Sequence, residues 1–316
     1  MKERYLVTGG AGFIGSNLAE ALVNQGHDVR IIDNFSTGKP ENIAGIRDKI
    51  ELIHGDIRYL NTVTEAMKGV DYVLHQAALP SVPRSIETPL ESNDVNTNGT
   101  LNILYAAKES GVKRVVYASS SSAYGDTPTL PKVETMNVNP LSPYAVNKLA
   151  GEQYCKVFHR IYGLETVAMR YFNIFGRRQD PTSFYSAVIP KFIKMFLNEE
   201  PPVINGDGTI SRDFTYIDNV ISANLLACKA PKAPGHAFNV ACGHRIDLNE
   251  LCVQLRKLIG AKVEPVHGKK RPGDIDHSLA DISSAQDLLD YKVLVPVEEG
   301  LKRTVEWFLN NREFLG

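Results

Sequence analysis

No stretch of this 316-residue chain approaches the roughly 20 apolar residues of a membrane span, and its first strand is too short for a signal-peptide core. A cytoplasmic protein with no membrane partner is expected. Cysteine is scarce. Cys155, Cys228, Cys242 and Cys252 show neither Cys-x-x-Cys spacing nor a disulfide-dense layout, so reduced thiols are expected rather than bridges or zinc. The eight histidines lack metal-type spacing too, and no metal is expected. Charge of one sign is also missing. A net charge of -1 offers nucleic acid and membrane surfaces no general attraction, so any anionic ligand must be held by local arginines. There is no internal repeat and no low-complexity tract, and 43% hydrophobic with 22% charged residues excludes disorder. The length allows two lobes or one large core.

What is present begins at Thr8-Gly9-Gly10-Ala11-Gly12-Phe13-Ile14-Gly15. A short apolar strand, Arg4 to Val7, precedes it, and apolar residues at helical spacing run from Phe13 to Gln25, so the glycines occupy a strand-to-helix turn. Without side chains there, backbone N–H groups can approach a pyrophosphate, toward which the following helix points its positive end. Asp33 closes the second strand, Asp28 to Ile32, about 20 residues past the turn, where a carboxylate accepts both ribose hydroxyls of NAD and repels a 2′-phosphate. NAD is therefore expected rather than NADP. A loop carrying Asn34, Ser36, Thr37 and Gly38 follows and joins the expected cofactor contacts.

The third strand is Ile50 to Ile53, and Asp56 beyond it lies where an adenine would sit, though it reads equally as a turn aspartate or helix cap. The fourth is Tyr72 to His75, with His75 structural. Gln76-Ala77-Ala78 after it lets backbone pass close to a cofactor. A helix from Leu90 to Ser110 carries Asn96, the fifth strand runs from Arg114 to Ala118 into Ser119-Ser120-Ser121-Ser122, a helix spans Pro143 to Tyr162, and the sixth strand is Thr166 to Arg170. This alternation predicts an α/β fold: a doubly wound parallel sheet of Rossmann type with helices on both faces, and ligands at the strand ends. Residues 1–172 form the expected cofactor domain. Beyond Asn173 the rhythm breaks into loops rich in Gly, Pro and Arg, so 173–316 reads as a smaller α/β substrate lobe. One return to the sheet is expected near 217–242, through a helix at Asn219 to Ala230 and a strand at Ala237 to Ala241.

Tyr144 and Lys148 stand one helical turn apart on one face. Alone the pair is weak, but it opens the helix after the fifth strand, with Ser120 at that strand's end and Asn96 on the preceding helix. A phenol becomes a base at pH 7 only if its pKa falls from about 10, on the order of 4 kcal/mol of differential stabilisation. Lys148 and a nicotinamide cation can supply that, while Ser120 shares and orients a substrate hydroxyl.

These motifs together make the chain resemble an extended short-chain dehydrogenase/reductase, and more narrowly the nucleotide-sugar 4-epimerases acting on UDP-glucose and UDP-N-acetylglucosamine. The resemblance runs nearly end to end: Thr8 to Gly15, Asp33, Asp56-Ile57, the serine run ending in Tyr124-Gly125-Asp126, Ser142-Pro143-Tyr144 with Lys148, Arg170-Tyr171-Phe172-Asn173, Arg212-Asp213-Phe214 and Arg271-Pro272-Gly273-Asp274. It implies that Tyr144 takes the proton of the sugar's 4-hydroxyl as hydride leaves carbon 4 for NAD. The 4-keto sugar then turns and receives the hydride on its other face. Ile57, Ser119 and Tyr171 join the implied NAD contacts. For a UDP-sugar, the implied contacts are Ser120, Ser121, Ser122, Asn173, Gln179 and Val188, with Arg212 and Arg271 on the phosphates and Asp274 at the ribose. Dehydratases and decarboxylases of this kind carry acids where Ser121 and Ser122 stand here, which favours return of the hydride. Ser278 replaces the bulky Tyr of hexose-restricted epimerases and leaves room for an acetamido group. A uronate substrate stays open, since Arg84, Arg177 or Arg178 can meet a carboxylate. So does a dinucleotide sensor without chemistry. Relatives dimerise through the helices at 90–110 and 143–162, to which Leu149, Tyr154 and Phe158 would add apolar surface unless they face the sheet.

Overall fold

A computed structural model describes residues 2–182, 187–269 and 276–315 of the chain. Six apolar segments supply the first strands: β1 (Arg4–Thr8), β2 (Asp28–Asp33), β3 (Ile50–His54), β4 (Tyr72–His75), β5 (Arg114–Ser120) and β6 (Glu165–Tyr171). Between them lie α1 (Phe13–Asn24), α2 (Leu60–Ala66), α3 (Val82–Glu87), α4 (Pro89–Asn93), α5 (Gly99–Glu109) and α6 (Pro143–Tyr162). Beyond β6 the strands β7 (Ile174–Phe175), β8 (Val203–Asn205), β9 (Ser211–Arg212) and β10 (Thr215–Tyr216) are short, and α7 (Val188–Leu197) and α8 (Ile217–Lys229) alternate with them. Then β11 (Ala237–Val240) returns to the sheet, followed by β12 (Ile246–Asp247), α9 (Leu248–Ile259), β13 (Val266–Gly268), α10 (Ser283–Leu289) and α11 (Val297–Asn310).

The seven-stranded sheet runs β11-β6-β5-β4-β1-β2-β3 with every pair parallel. The order reverses between β1 and β4, which opens a crevice at their C-terminal ends. Successive strand residues face opposite layers. Val7, Ile31 and Val116 pack on one side with Leu18 of α1 and Val220 of α8. Leu6, Ile32 and Val115 pack on the other with Leu104 of α5 and Phe158 of α6. Phe192, Phe214 and Leu251, all beyond residue 173, belong to the first of these clusters.

Two helices matter for the site. Ser142 caps α6, its hydroxyl accepting the Ala145 N–H at 3.2 Å, Pro143 follows at the first turn, and Gly163 ends the helix at φ 71. The helix expected at 90–110 runs from α4 into α5 through a single π-helical turn, Asp94–Asn98, that carries Asn96. Spacing alone does not foresee that turn. The apolar seam also needs correction. Phe158 is buried in the core of its own chain and Tyr154 packs against the same cluster, while the exposed large apolar residues of α6 are Val146, Val157, Ile161 and Tyr162.

Candidate active site

The cofactor cradle is built from absent side chains. Gly9 turns out of β1 at φ 64, and a Cβ there would lie 2.7 Å from the Ala77 Cα; one at Gly15 would lie 2.1 Å from the Gly9 carbonyl oxygen. Gly12 opens α1 and no side chain caps it, so the helix's first N–H groups face the crevice. This shape, rather than a motif match, is what fits a dinucleotide: backbone donors at a bare helix end, with Asp33 beside them. Asp33 accepts the Ala11 N–H at 2.9 Å and the Phe35 N–H at 2.8 Å, and burial pushes its carboxyl up. Gly38 folds back so closely that a Cβ would sit 3.0 Å from an Asp33 oxygen. Asn34 joins Asp56 at 2.9 Å, while Ser36 donates its N–H to the Asn34 side chain at 3.0 Å. Of the readings open for Asp56, the turn aspartate is present: its Oδ1 accepts the Arg58 N–H at 2.9 Å. Burial raises its carboxyl, but the Arg58 guanidinium outweighs that and holds it low.

On the other lip, Gln76 and Tyr171 meet across the sheet at 3.2 Å, and both bond to Asn224 of α8. Asn96 holds the loop after β4: its amide accepts the Leu79 N–H at 2.8 Å and donates to the Leu79 carbonyl at 3.1 Å. The Ser119 hydroxyl donates to Glu152 at 3.0 Å.

Ser120, Tyr144 and Lys148 do converge. The Ser120 side chain accepts from the Ser122 N–H at 3.1 Å and from its hydroxyl at 2.9 Å, while Lys148 Nζ donates to the Ala118 carbonyl at 2.9 Å and lies 6.0 Å from the Tyr144 ring centre. Ser121 stands in the same short helical turn, Ser121–Tyr124. Burial raises the Tyr144 phenol although the nearby Ser120 hydroxyl works to lower it, and burial pushes Lys148 down to about 8. The protein alone thus drives both groups toward neutrality, and lowering the phenol is left to a bound cation.

Substrate-side residues gather beyond β6. Asn173, Val188 and Arg212 line one cavity of about 240 Å³ with Ile210 and Phe214. Asn173 takes φ 37 and donates to the Asp213 carbonyl at 2.9 Å, and Arg212 donates to the carbonyls of Ser211 and Asp276. Ser278 is threaded between Ser211 and Asp213 by backbone bonds of 3.0 and 2.9 Å. Gln179 is not in that cavity: its Nε2 donates to the Ile174 carbonyl at 3.0 Å, and its Oε1 is buried without a partner among the described residues. Arg271 and Asp274 lie outside the described residues.

Pattern reading overlooks three residues that hold this site. Glu152, fully buried one turn past Lys148, grips Arg170 at 2.7 Å and Ser119. Asp213 accepts the N–H groups of Cys242, Gly243 and Ala280. Asn224 carries the bonds to Gln76 and Tyr171. For Glu152 and Asn224 the one signal available was polarity at positions where helical spacing puts the apolar face; Asp213, between β9 and β10, has no such signal.

The profile of the NAD dependent epimerase/dehydratase family matches residues 5–241. A putative UDP-glucose 4-epimerase of Methanocaldococcus jannaschii is 39% identical, covering 97% of this chain and 98% of its own. Among solved structures, the UDP-N-acetylglucosamine 4-epimerase of Methanobrevibacter ruminantium in complex with UDP-N-acetylmuramic acid is 42% identical, with 98% and 100% coverage and a TM-score of 0.94. The UDP-glucuronic acid 4-epimerase of Bacillus cereus, in complex with UDP-glucuronic acid and NAD, is 33% identical, with 98% and 99% coverage and a TM-score of 0.89. With a bare-glycine cradle at the crevice, a serine–tyrosine–lysine corner beside it and this breadth of likeness, the chain belongs to the NAD-dependent epimerase/dehydratase family.

Proposed function

We propose that the chain is a UDP-sugar 4-epimerase that interconverts UDP-N-acetylglucosamine and UDP-N-acetylgalactosamine, with UDP-glucose and UDP-galactose as further substrates. The observation that carries this is the corner at the end of β5: Ser120 near the Tyr144 phenol, Lys148 beside it, and serines where elimination or decarboxylation would need an acid. The cradle of Gly9, Gly12 and Gly15 with Asp33 would hold NAD, which would supply a reversible hydride acceptor for carbon 4. Tyr144 removes and restores the 4-hydroxyl proton, Ser120 orients that hydroxyl, and Lys148 holds positive charge near the phenol. Asn173 and Arg212, with Arg271 and Asp274, hold the nucleotide while the sugar turns.

The arginines favour a neutral sugar over a uronate. Arg84 faces Glu91 at 3.6 Å, Arg177 pairs with Asp218 at 2.6 Å and Arg178 with Glu20 at 2.7 Å. Each candidate partner for a substrate carboxylate is already matched with an acid. The experiment is an NMR time course of the purified protein with UDP-N-acetylglucosamine, UDP-glucose and UDP-glucuronate in separate tubes, first without and then with added NAD. Conversion of the first to its C4 epimer supports the proposal; reaction of UDP-glucuronate alone replaces it with the uronate reading, and no reaction of any sugar leaves the sensor reading. Ser278→Tyr should remove turnover of the acetamido sugar while sparing the plain hexose, and equal loss of both rejects the role given to Ser278.

A homodimer through α5 and α6 belongs to the same reading. Tyr105 of α5 and Val146, Val157, Ile161 and Tyr162 of α6 are exposed apolar residues, as is Leu90 of α4. Sedimentation equilibrium should give twice the monomer mass; a monomer at micromolar concentration rejects this part.

A further inference from the structure

Lys148 is 4% exposed, and its Nζ donates to the Ala118 carbonyl at 2.9 Å. The ionisable groups of the elements packed around α6 bring no negative charge to it. His75 on β4 is kept neutral by burial. Arg170 on β6 pairs with Glu152, and its guanidinium also lies 4.7 Å from the Tyr124 ring centre. Arg84 of α3 faces Glu91 of α4, and Asp94 faces Arg58. What does face the ammonium is aromatic. The Tyr117 ring centre on β5 lies 5.2 Å from Lys148 Nζ, nearer than the 6.0 Å to Tyr144 on its own helix.

Tyr117 is held in that place from several sides. It is 1% exposed, its hydroxyl donates to the Lys148 carbonyl at 3.3 Å, and its ring lies 5.6 Å from that of His75. Helix α6 leaves a slot for the hydroxyl at Gly151, where a Cβ would fall 2.3 Å from the Tyr117 oxygen. One side chain thus touches Lys148 twice, at its charge and at its backbone.

We propose that Tyr117 is a positioning residue for Lys148: its ring face carries the buried ammonium while its hydroxyl anchors the same residue's main chain, which keeps the charge beside Tyr144. This rests on the Tyr144–Lys148 reading above. A desolvated cation over an aromatic face gains more than an exposed one, and the carboxylate one turn along, Glu152, is engaged by Arg170 and Lys156. Losing the ring lets Lys148 give up its proton at lower pH, so the alkaline limb of the rate profile moves down.

The test compares the wild-type protein, Tyr117→Phe and Tyr117→Leu, each with bound NAD. Lysine labelled with carbon-13 at Cε reports the Lys148 titration by NMR, assigned with Lys148→Met, and kcat against pH is measured on the same samples. Tyr117→Leu should lower the titration and the alkaline limb together by about one pH unit, while Tyr117→Phe, which keeps the ring, stays within a few tenths. Should Tyr117→Leu not fold, Tyr117→Met, closer in volume and without a π face, takes its place. Identical Lys148 titrations in all proteins overturn the proposal. So does a titration that moves without the rate limb. If the wild type epimerises no sugar, the function proposed above fails, and the Lys148 titration still decides the part played by Tyr117.

Discussion

Up to Tyr171, the groups that line the crevice sit on the ends of seven-residue or shorter strands joined in one parallel ladder, and on glycines whose fit is to backbone atoms. After Asn173 the ladders shrink to β7–β10, β9–β12 and β8–β13, two or three residues each. Buried side chains take over there. Asp213 collects three N–H groups; Asn219 ties α8 to the backbone of Leu294 and Val295; Asn239 joins Tyr124 at 2.7 Å, the Lys132 carbonyl at 2.8 Å and the Asp281 carbonyl at 2.9 Å. On the proposed function, a cofactor that stays in place would suit the first construction, and a substrate that turns would suit walls pinned at a few points.

This contrast is open to attack from either side. The largest effect is expected at Gly15→Ala, because its methyl group would meet the Gly9 carbonyl at 2.1 Å and the Gly10 Cα at 2.8 Å, neither able to yield cheaply. The purified variant should carry no NAD when its nucleotide is released by denaturation and quantified; undiminished NAD would refute the backbone-built cradle. Next is Asp213→Ala, which takes the acceptor from three N–H groups, that of Ala280 buried and those of Cys242 and Gly243 partly buried, and should cost on the order of 3 kcal/mol in urea unfolding. Hydrogen exchange should rise first around Cys242 and Ala280, with the sheet still protected. Uniform loosening would show that the two regions do not differ in the way described.

Acid should separate the regions by sign. Burial, with Lys148 nearby, pushes His75 down to about 3, so the stability it contributes is complete above its unfolded pKa of about 6.5 and is lost as pH falls. Burial pushes Asp213 up to about 6 against its three N–H donors, so its contribution is complete below about 3.9 and is lost as pH rises through 6. Between pH 7 and pH 5, His75 should remove about 2 kcal/mol and Asp213 restore about 1 kcal/mol. Urea titrations of His75→Asn and Asp213→Asn at both pH values check this, each variant losing its own share of the change. The smallest effect is expected at the Lys39–Asp180 pair, 3.1 Å and partly exposed, which bridges the loop after β2 to the loop after β7. Asp180→Asn should shift the unfolding free energy by less than about 1 kcal/mol.

The first region was the more legible one. Each strand expected before residue 172 is present within two residues, as are the helix at 143–162 and the return through α8 and β11, because apolar period and glycine placement are local properties of the chain. The π-helical turn at Asp94–Asn98 and the use of Asn96 on Leu79 were not legible, since nothing in their spacing distinguishes a residue that meets a ligand from one that holds the loop beside it.

The sequence by itself determined the strand–glycine turn–helix, the acid at the end of β2 and the single helical turn between Tyr144 and Lys148, all of which depend on neighbours a few positions away. Only the tertiary structure decided what the buried polar groups do. Ser119 finds Glu152 33 positions along the chain and Tyr171 finds Gln76 95 positions back, and the Tyr117 ring reaches Lys148 because β5 and α6 pack face to face. A buried polar group must find a partner, but which partner it finds is set by packing that no spacing encodes.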